Sequence, residues 1–241
     1  MYTSINNPKI KNLKKLQQKK YRDKENLFLV EGKHLVEEAY KSGILKEIYT
    51  CEDEYNNFDV PNYVVTEEII KYLSDVETNQ KVIGLCTKEV KNKIGNKIIM
   101  LDNIQDPGNL GTIVRSAVAF NFDTIILSDN SVDLYNPKVI RSTQGMMFKI
   151  NIIRTELFEM IKKLKKDNYK ILSTKVDSGK DIKSLEKREK LCIIMGNEGN
   201  GVREEIMSLA DEFVYIKMND NCESLNVAVA TSILLYELGR D

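Results

Sequence analysis

The stretch IIMLDNIQDPGNLGTIVRSAVAFNFDTIILSD, Ile98 to Asp129, sets two short apolar runs, IIML and TIIL, on either side of LGTIVRSAVAF, whose apolar residues recur at helical spacing. Strand, helix and strand in that order predict a parallel crossover, because parallel neighbours need a connection long enough to bring the chain back. The pattern continues in YKILST, LCIIM and FVYIKM and ends in a long helix from Ser224 to Leu238. Continuous rather than alternating apolar runs belong to strands buried on both faces, so this part reads as an α/β domain around a parallel sheet. Ligands of such sheets sit at the carboxyl ends of the strands.

Upstream the pattern is mixed. FLVEG (Phe28 to Gly32) reads as a strand and turn, and HLVEEAYKSG as a helix closed by glycine. KEIYTC, YVVT and VIGLCT read as strands, with the helix TEEIIKYL between the last two. The polar, aperiodic KEVKNKIGNK (Lys88 to Lys97) is the expected linker. Two domains are therefore expected, residues 1–95 and 96–241. Between Met1 and Glu25 stand eight Lys/Arg and two acids, although the whole chain balances 36 Lys+Arg with 36 Asp+Glu. Ile10, Leu13 and Leu16 lie at helical spacing in this basic segment. It reads either as a helix lying on a polyanion or as a solvated surface helix.

Several absences narrow the chemistry. His34 is the single histidine, and Cys51, Cys86, Cys192 and Cys222 form no C-x-x-C pair. A zinc site or a Ser-His-Asp triad would have to be built around one position, so no metal and no disulfide framework are expected. MYTSINNPKI lacks an apolar signal region, and no run approaches the roughly 18 apolar residues of a membrane span. A cytoplasmic protein without membrane contact is the expectation.

Three loops carry the chemical signal. In DNIQDPGNLGTIVRSA (Asp102 to Ala117), Pro107 and Gly108 make a turn and Asn109 is the expected N-cap. Arg115, about 240° round the axis from Asn109, cannot share its helix face. In LCIIMGNEGNGV (Leu191 to Val202), a strand runs into Gly196, Gly199 and Gly201, as either a structural turn or a ligand loop. It matches neither the P-loop nor the dinucleotide fingerprint, and Glu198 would repel a pyrophosphate, so a cofactor that is cationic or lacks phosphate suits it better. In YIKMNDNCESLNVAVATSILLYEL (Tyr215 to Leu238), Ser224 is the expected cap. Asn226 offers polar groups at the positive end of the helix, and Ala228, Ala230, Thr231 and Ser232 make a thin face.

Together and in this order, D-P-G-N-L-G…R, M-G-N-E-G-N-G and S-L-N-V-A-V-A resemble the SpoU (TrmH-like) family of RNA ribose 2′-O-methyltransferases in the SPOUT class. FLVEGKHLVEEAYKSG resembles the opening of the substrate-binding domain that often precedes it. The resemblance implies a parallel sheet tied into a C-terminal trefoil knot, S-adenosylmethionine bound in the knot, and a homodimer with active sites at its interface. It implies catalytic roles for Arg115, Asn109, Glu198, Ser224 and Asn226, and cofactor contacts at Gly196, Ile216, Leu225 and Thr174. Lys217 stands where the family usually has proline, and Met146 where a small residue is common.

Structured RNA is then the expected substrate, 23S rRNA favoured over tRNA, with a non-catalytic RNA-binding protein as a further alternative. Because an arginine side chain ordinarily stays protonated, Arg115 is expected to hold the ribose hydroxyl and stabilise developing negative charge rather than act as a base. Glu198 is expected to orient Arg115 or the substrate, and the proton acceptor is unassigned.

Overall fold

The computed structural model describes residues 1–239 except 52–54, 56, 77–79, 90–92, 176–178 and 187. The chain forms two compact units, one of residues 1–90 with 133–148 and the other of residues 91–132 with 149–241. A single cut near residue 95 does not describe this packing, and residues 90–92 of the expected linker lie outside the described ones.

The first unit runs α1 (Pro8–Lys15), α2 (Lys19–Glu25), β1 (Leu27–Glu31), α3 (Lys33–Lys41), β2 (Leu45–Thr50), β3 (Asn62–Val64), α4 (Glu67–Leu73) and β4 (Val82–Thr87). Its strands among the described residues make a mixed sheet in the order β1-β4-β2-β3, antiparallel except for β2 with β3. The basic N-terminal segment is two helices, not one. Arg22 folds back so that Nη1 donates to the carbonyls of Leu16 and Gln17, satisfying acceptors left open where α1 stops. Ile10, Leu13 and Leu16 are buried against Ile69, Ile70 and Leu73 of α4, so the apolar face of α1 is core and its lysines form the outside.

Residues 133–148, including α6 (Pro137–Thr143), complete this unit. The buried Arg22 guanidinium pairs with Asp133 at 2.5 Å, and Phe28 packs on Tyr135 with ring centroids 4.8 Å apart. His34 Nε2 lies 3.2 Å from the Gln144 carbonyl, in hydrogen-bonding reach. Met146 sits half-buried in a 3-10 turn, a place that admits its bulk.

The second unit contains β5 (Lys97–Leu101), α5 (Pro107–Ala119), β6 (Thr124–Leu127), β7 (Asn151–Arg154), α7 (Leu157–Lys166), β8 (Lys170–Thr174), β9 (Lys180–Asp181), β10 (Leu191–Met195), α8 (Glu204–Met207), β11 (Glu212–Tyr215) and α9 (Val227–Gly239). Its described strands form one sheet, β7-β6-β5-β10-β8-β11-β9, and every pairing in it is parallel. Ile98, Met100, Ile171, Cys192 and Ile194 face Leu157, Ile161 and Leu164 of α7, while the intervening Ile99, Leu101 and Ile193 are buried as well. Both faces are thus covered, as the continuous apolar runs require.

α5 and α9 pack against each other, with the Ser116 and Ser232 hydroxyls 2.7 Å apart and the rings of Phe120 and Tyr236 meeting edge to face. Part of the thin face of α9 is therefore filled from within the chain. Val229, Ile233 and Tyr236 recur at helical spacing along the edge of this contact and keep apolar area exposed. No helix among the described residues is long and apolar enough to cross a membrane.

Candidate active site

The strand order brings the carboxyl ends of β8, β10 and β11 together, and the three signal loops meet beside them. A cavity of about 370 Å³ lies there, within the range of small-molecule sites. Its apolar lining comes from Met195, Val214, Ile216, Leu225, Val227 and Leu234. Thr174, Gly196, Glu198, Ser224 and Asn226 also line it, so every expected cofactor contact falls on its wall.

The glycine loop is shaped by its own backbone. Asn197 and Gly201 exchange both main-chain hydrogen bonds, N–H to O, at 2.9 and 3.0 Å. A Cβ at Gly196 would run into the backbone of Gly201 and Val202, and Gly201 has φ +68°, so these two positions need glycine for different reasons. Asn197 is a residue that motif reading missed. Its Oδ1 accepts from the amides of Gly199 and Asn200, while Nδ2 donates to the Asn103 carbonyl at 2.9 Å. An Asx turn next to a glycine pair was the available signal.

The caps differ from those expected. Asp106 caps α5, its Oδ1 accepting from the Asn109 amide at 2.8 Å, which leaves the Asn109 side chain free for other work. At α9 the first helical residue is Val227, and Asn226 rather than Ser224 is the cap, with Oδ1 accepting from the amides of Ala228 and Val229. Asp, Asn and Ser can all cap, so only the place where the chain turns decides among neighbours.

These caps orient a chain of side-chain bonds across the three loops. With its Oδ1 occupied by helix amides, Asn226 donates through Nδ2 to Asn109 Oδ1 at 3.0 Å. Asn109 Nδ2 then donates to Glu198 Oε1 at 2.9 Å. The direction follows from the helix: amides can only donate, so each amide side chain passes its donor on, and Glu198 receives it as a carboxylate. Glu198 therefore engages Asn109, not Arg115. Arg115 is exposed and forms no hydrogen bond or ion pair with the described residues, in keeping with its separation from Asn109 round the helix.

Lys217 is exposed between the cavity-lining Ile216 and Met218. The four cysteines are free, and among the described residues no group of three His, Cys, Asp or Glu could hold a metal ion.

The site fits a cationic cofactor with an apolar ring. Its floor is apolar, its glycine loop carries a carboxylate and no lysine, and the one cation in its described lining, Lys175 beyond the end of β8, lies 5.9 Å from the centre of the Phe213 ring. A family model described as the SpoU rRNA Methylase family matches residues 96–236, and one described as the MRM3-like substrate binding domain matches residues 7–84. A Bacillus subtilis protein named 23S rRNA (guanosine(2553)-2′-O)-methyltransferase RlmP is 38% identical, over 98% of this chain and 97% of its own. An AdoMet-bound rRNA methyltransferase from Sinorhizobium meliloti superposes with a TM-score of 0.88 at 29% identity, over 98% of this chain and 96% of that one. The SpoU methyltransferase AviRb from Streptomyces viridochromogenes shares the fold, with a TM-score of 0.85 at 20% identity over 97% of each chain.

Proposed function

The chain belongs to the SpoU rRNA methylase family, and from that premise we propose that it transfers the methyl group of S-adenosylmethionine to a ribose 2′-hydroxyl in 23S rRNA. The observation that carries this reading is the Asn226–Asn109–Glu198 chain, which joins all three loops at the mouth of the cavity. Gly196, Ile216, Leu225 and Thr174 hold the cofactor, whose sulfonium supplies an electrophilic methyl group. Glu198 gives the rim a negative charge suited to that cation, and Asn109 and Asn226 hold the carboxylate in place. Arg115 binds the incoming hydroxyl and its neighbouring phosphate and stabilises the charge that develops on oxygen. Ser224, exposed at the rim, contacts the ribose.

A homodimer completes the site. Val229, Ile233 and Tyr236 form an exposed apolar stripe on α9, and an Arg115 turned away from its own loop network suits a centre shared between protomers. The first unit selects the RNA, with the lysines of α1 and α2 supplying charge. The C-terminal trefoil knot belongs to the same reading, as does work on ribosomal RNA in the cytoplasm. A tRNA substrate is the second reading, because RNA recognition depends on shape and exposed loops that either molecule offers.

The test uses the full chain. Calorimetric titration with S-adenosylmethionine is expected to show binding, and transfer of labelled methyl to 23S rRNA transcribed in vitro is expected to leave one alkali-resistant 2′-O-methyl position. Methylation of tRNA transcripts with 23S rRNA untouched would overturn the substrate. Absence of cofactor binding would overturn the reaction.

A further inference from the structure

Both ends of the glycine loop converge on one residue outside it. Asp102, the residue after β5, donates its main-chain N–H to the carbonyl of Met195, where the loop begins, at 2.9 Å. Its carboxylate takes the other end: Oδ2 accepts the Arg203 main-chain N–H at 2.9 Å, and the Arg203 Nε–H reaches Oδ1 at 2.9 Å and Oδ2 at 3.2 Å. The Asp102 side chain is 0% exposed, whereas that of Arg203 is 43% exposed. A carboxylate withdrawn from water is tolerated when paired and hydrogen-bonded, and here the pairing comes from the residue that closes the loop.

We propose that Asp102 is a positioning residue that fixes the mouth of the Gly196–Val202 loop through Arg203, and thereby sets Glu198 and the cofactor wall. The inference rests on the function proposed above and adds a residue to it. Between the two clamped ends the loop has little freedom, because Asn197 and Gly201 already bridge it and Gly196 lies against Gly201. Releasing either end moves Gly196, which lines the cavity, and Glu198, which meets Asn109, together. The segment from Asp102 to Asp106 thus caps α5 at one end and holds the cofactor loop at the other. Displacing reacting groups by about 1 Å can cost about a hundredfold in rate.

The experiment compares Arg203→Ala, Arg203→Lys and Asp102→Asn in the full-length protein, with Asp133→Asn as a control that breaks the buried ion pair of the other unit. Arg203→Ala is expected to raise the Kd for S-adenosylmethionine about tenfold and to lower kcat at saturating cofactor, with Arg203→Lys between it and wild type. Asp102→Asn is expected to approach a hundredfold loss in kcat. Amide hydrogen exchange at residues 197–203 is expected to quicken in Arg203→Ala whether or not cofactor is present. Asp133→Asn should lower Tm and leave the cofactor Kd unchanged.

Kd and kcat within twofold of wild type in Arg203→Ala, with unchanged exchange, would overturn the proposal even if Asp102→Asn does not fold. So would a Kd in Asp133→Asn raised as far as in Arg203→Ala, since the effect would then be general destabilisation. Failure of the wild type to bind the cofactor overturns the proposed function instead, and loop exchange still decides whether Asp102 holds the loop.

Discussion

The first unit and the loops around the cavity of the second use charge differently. In the first, cations are drawn into pairs and onto rings: Lys9 with Glu47 and over Tyr63, Lys19 and Lys88 with Asp23, Arg22 with Asp133, and Lys15 and Lys20 over Tyr21. At the cavity of the second, the amides of Asn226 and Asn109 join the three loops and end on Glu198, the ion pair of Asp102 with Arg203 closes the glycine loop behind them, and Arg115 is left without a partner among the described residues. On the function proposed above, the exposed Arg115 guanidinium is available to a substrate, whereas a paired one serves mainly to join segments. A local excess of positive charge in sequence therefore overstates the unpaired charge that the folded unit presents.

Arg115→Ala puts the greatest strain on this contrast. It is expected to lower kcat by about 10²–10³-fold with the cofactor Kd unchanged, measured by single-turnover methyl transfer and calorimetry. Arg115→Lys should fail too, because lysine offers a point charge in place of a planar fork. Activity near wild type in Arg115→Ala would place that arginine among the solvated surface residues.

Next in size, replacing Lys14, Lys15, Lys19 and Lys20 with Gln should weaken RNA binding. It should also flatten the logarithmic salt dependence by roughly 0.7–0.9 for each phosphate that is no longer neutralised. The methylated nucleotide should stay the same. Because Lys19 is already engaged by Asp23, Lys19→Gln alone should contribute least. A slope unchanged in the quadruple variant would mean that these lysines serve only the unit that carries them.

The smallest effect concerns Asp23, whose carboxyl is lowered to about 2 by hydrogen bonds from Lys19 and Lys88. A depressed carboxyl stabilises the fold above its unfolded value near 3.8, and that contribution is lost as pH falls through about 2. Asp23→Asn should therefore lower Tm at neutral pH by no more than about 2–4 °C, given the exposure of the pair. The gap to wild type should shrink between pH 4 and pH 2. A gap that widens on acidification would reverse the assigned role of the pair.

Much of the second unit was legible because its strands are buried on both faces and its helices alternate with them, so local apolar runs carried the topology. The cavity position followed from the carboxyl-end rule. Three features were not legible. Asp106 and Asn226 cap where Asn109 and Ser224 were expected, since neighbouring residues have equal capping chemistry. The break between α1 and α2 has no Gly or Pro to announce it and depends on Arg22 folding back onto Leu16 and Gln17. The bonds that Asn197 and Asp102 make to distant loops depend on which strands become neighbours, which no local pattern states.

The return of residues 133–148 to the first unit bears on how the protein is made. On a translating ribosome, Arg22 and Phe28 emerge early, yet the carboxylate and ring that complete their surroundings, Asp133 and Tyr135, emerge only after β5, α5 and β6. Synthesis from residue 90 to residue 148 takes roughly 3–12 s at ordinary elongation rates. Over that interval the nascent N-terminal part carries a buried-site arginine with no counter-charge, and its closure waits on sequence from the middle of the chain. A polypeptide beginning at residue 96 would carry the converse defect, since Val139, Ile140 and Phe148 would be stripped of the surface that covers them.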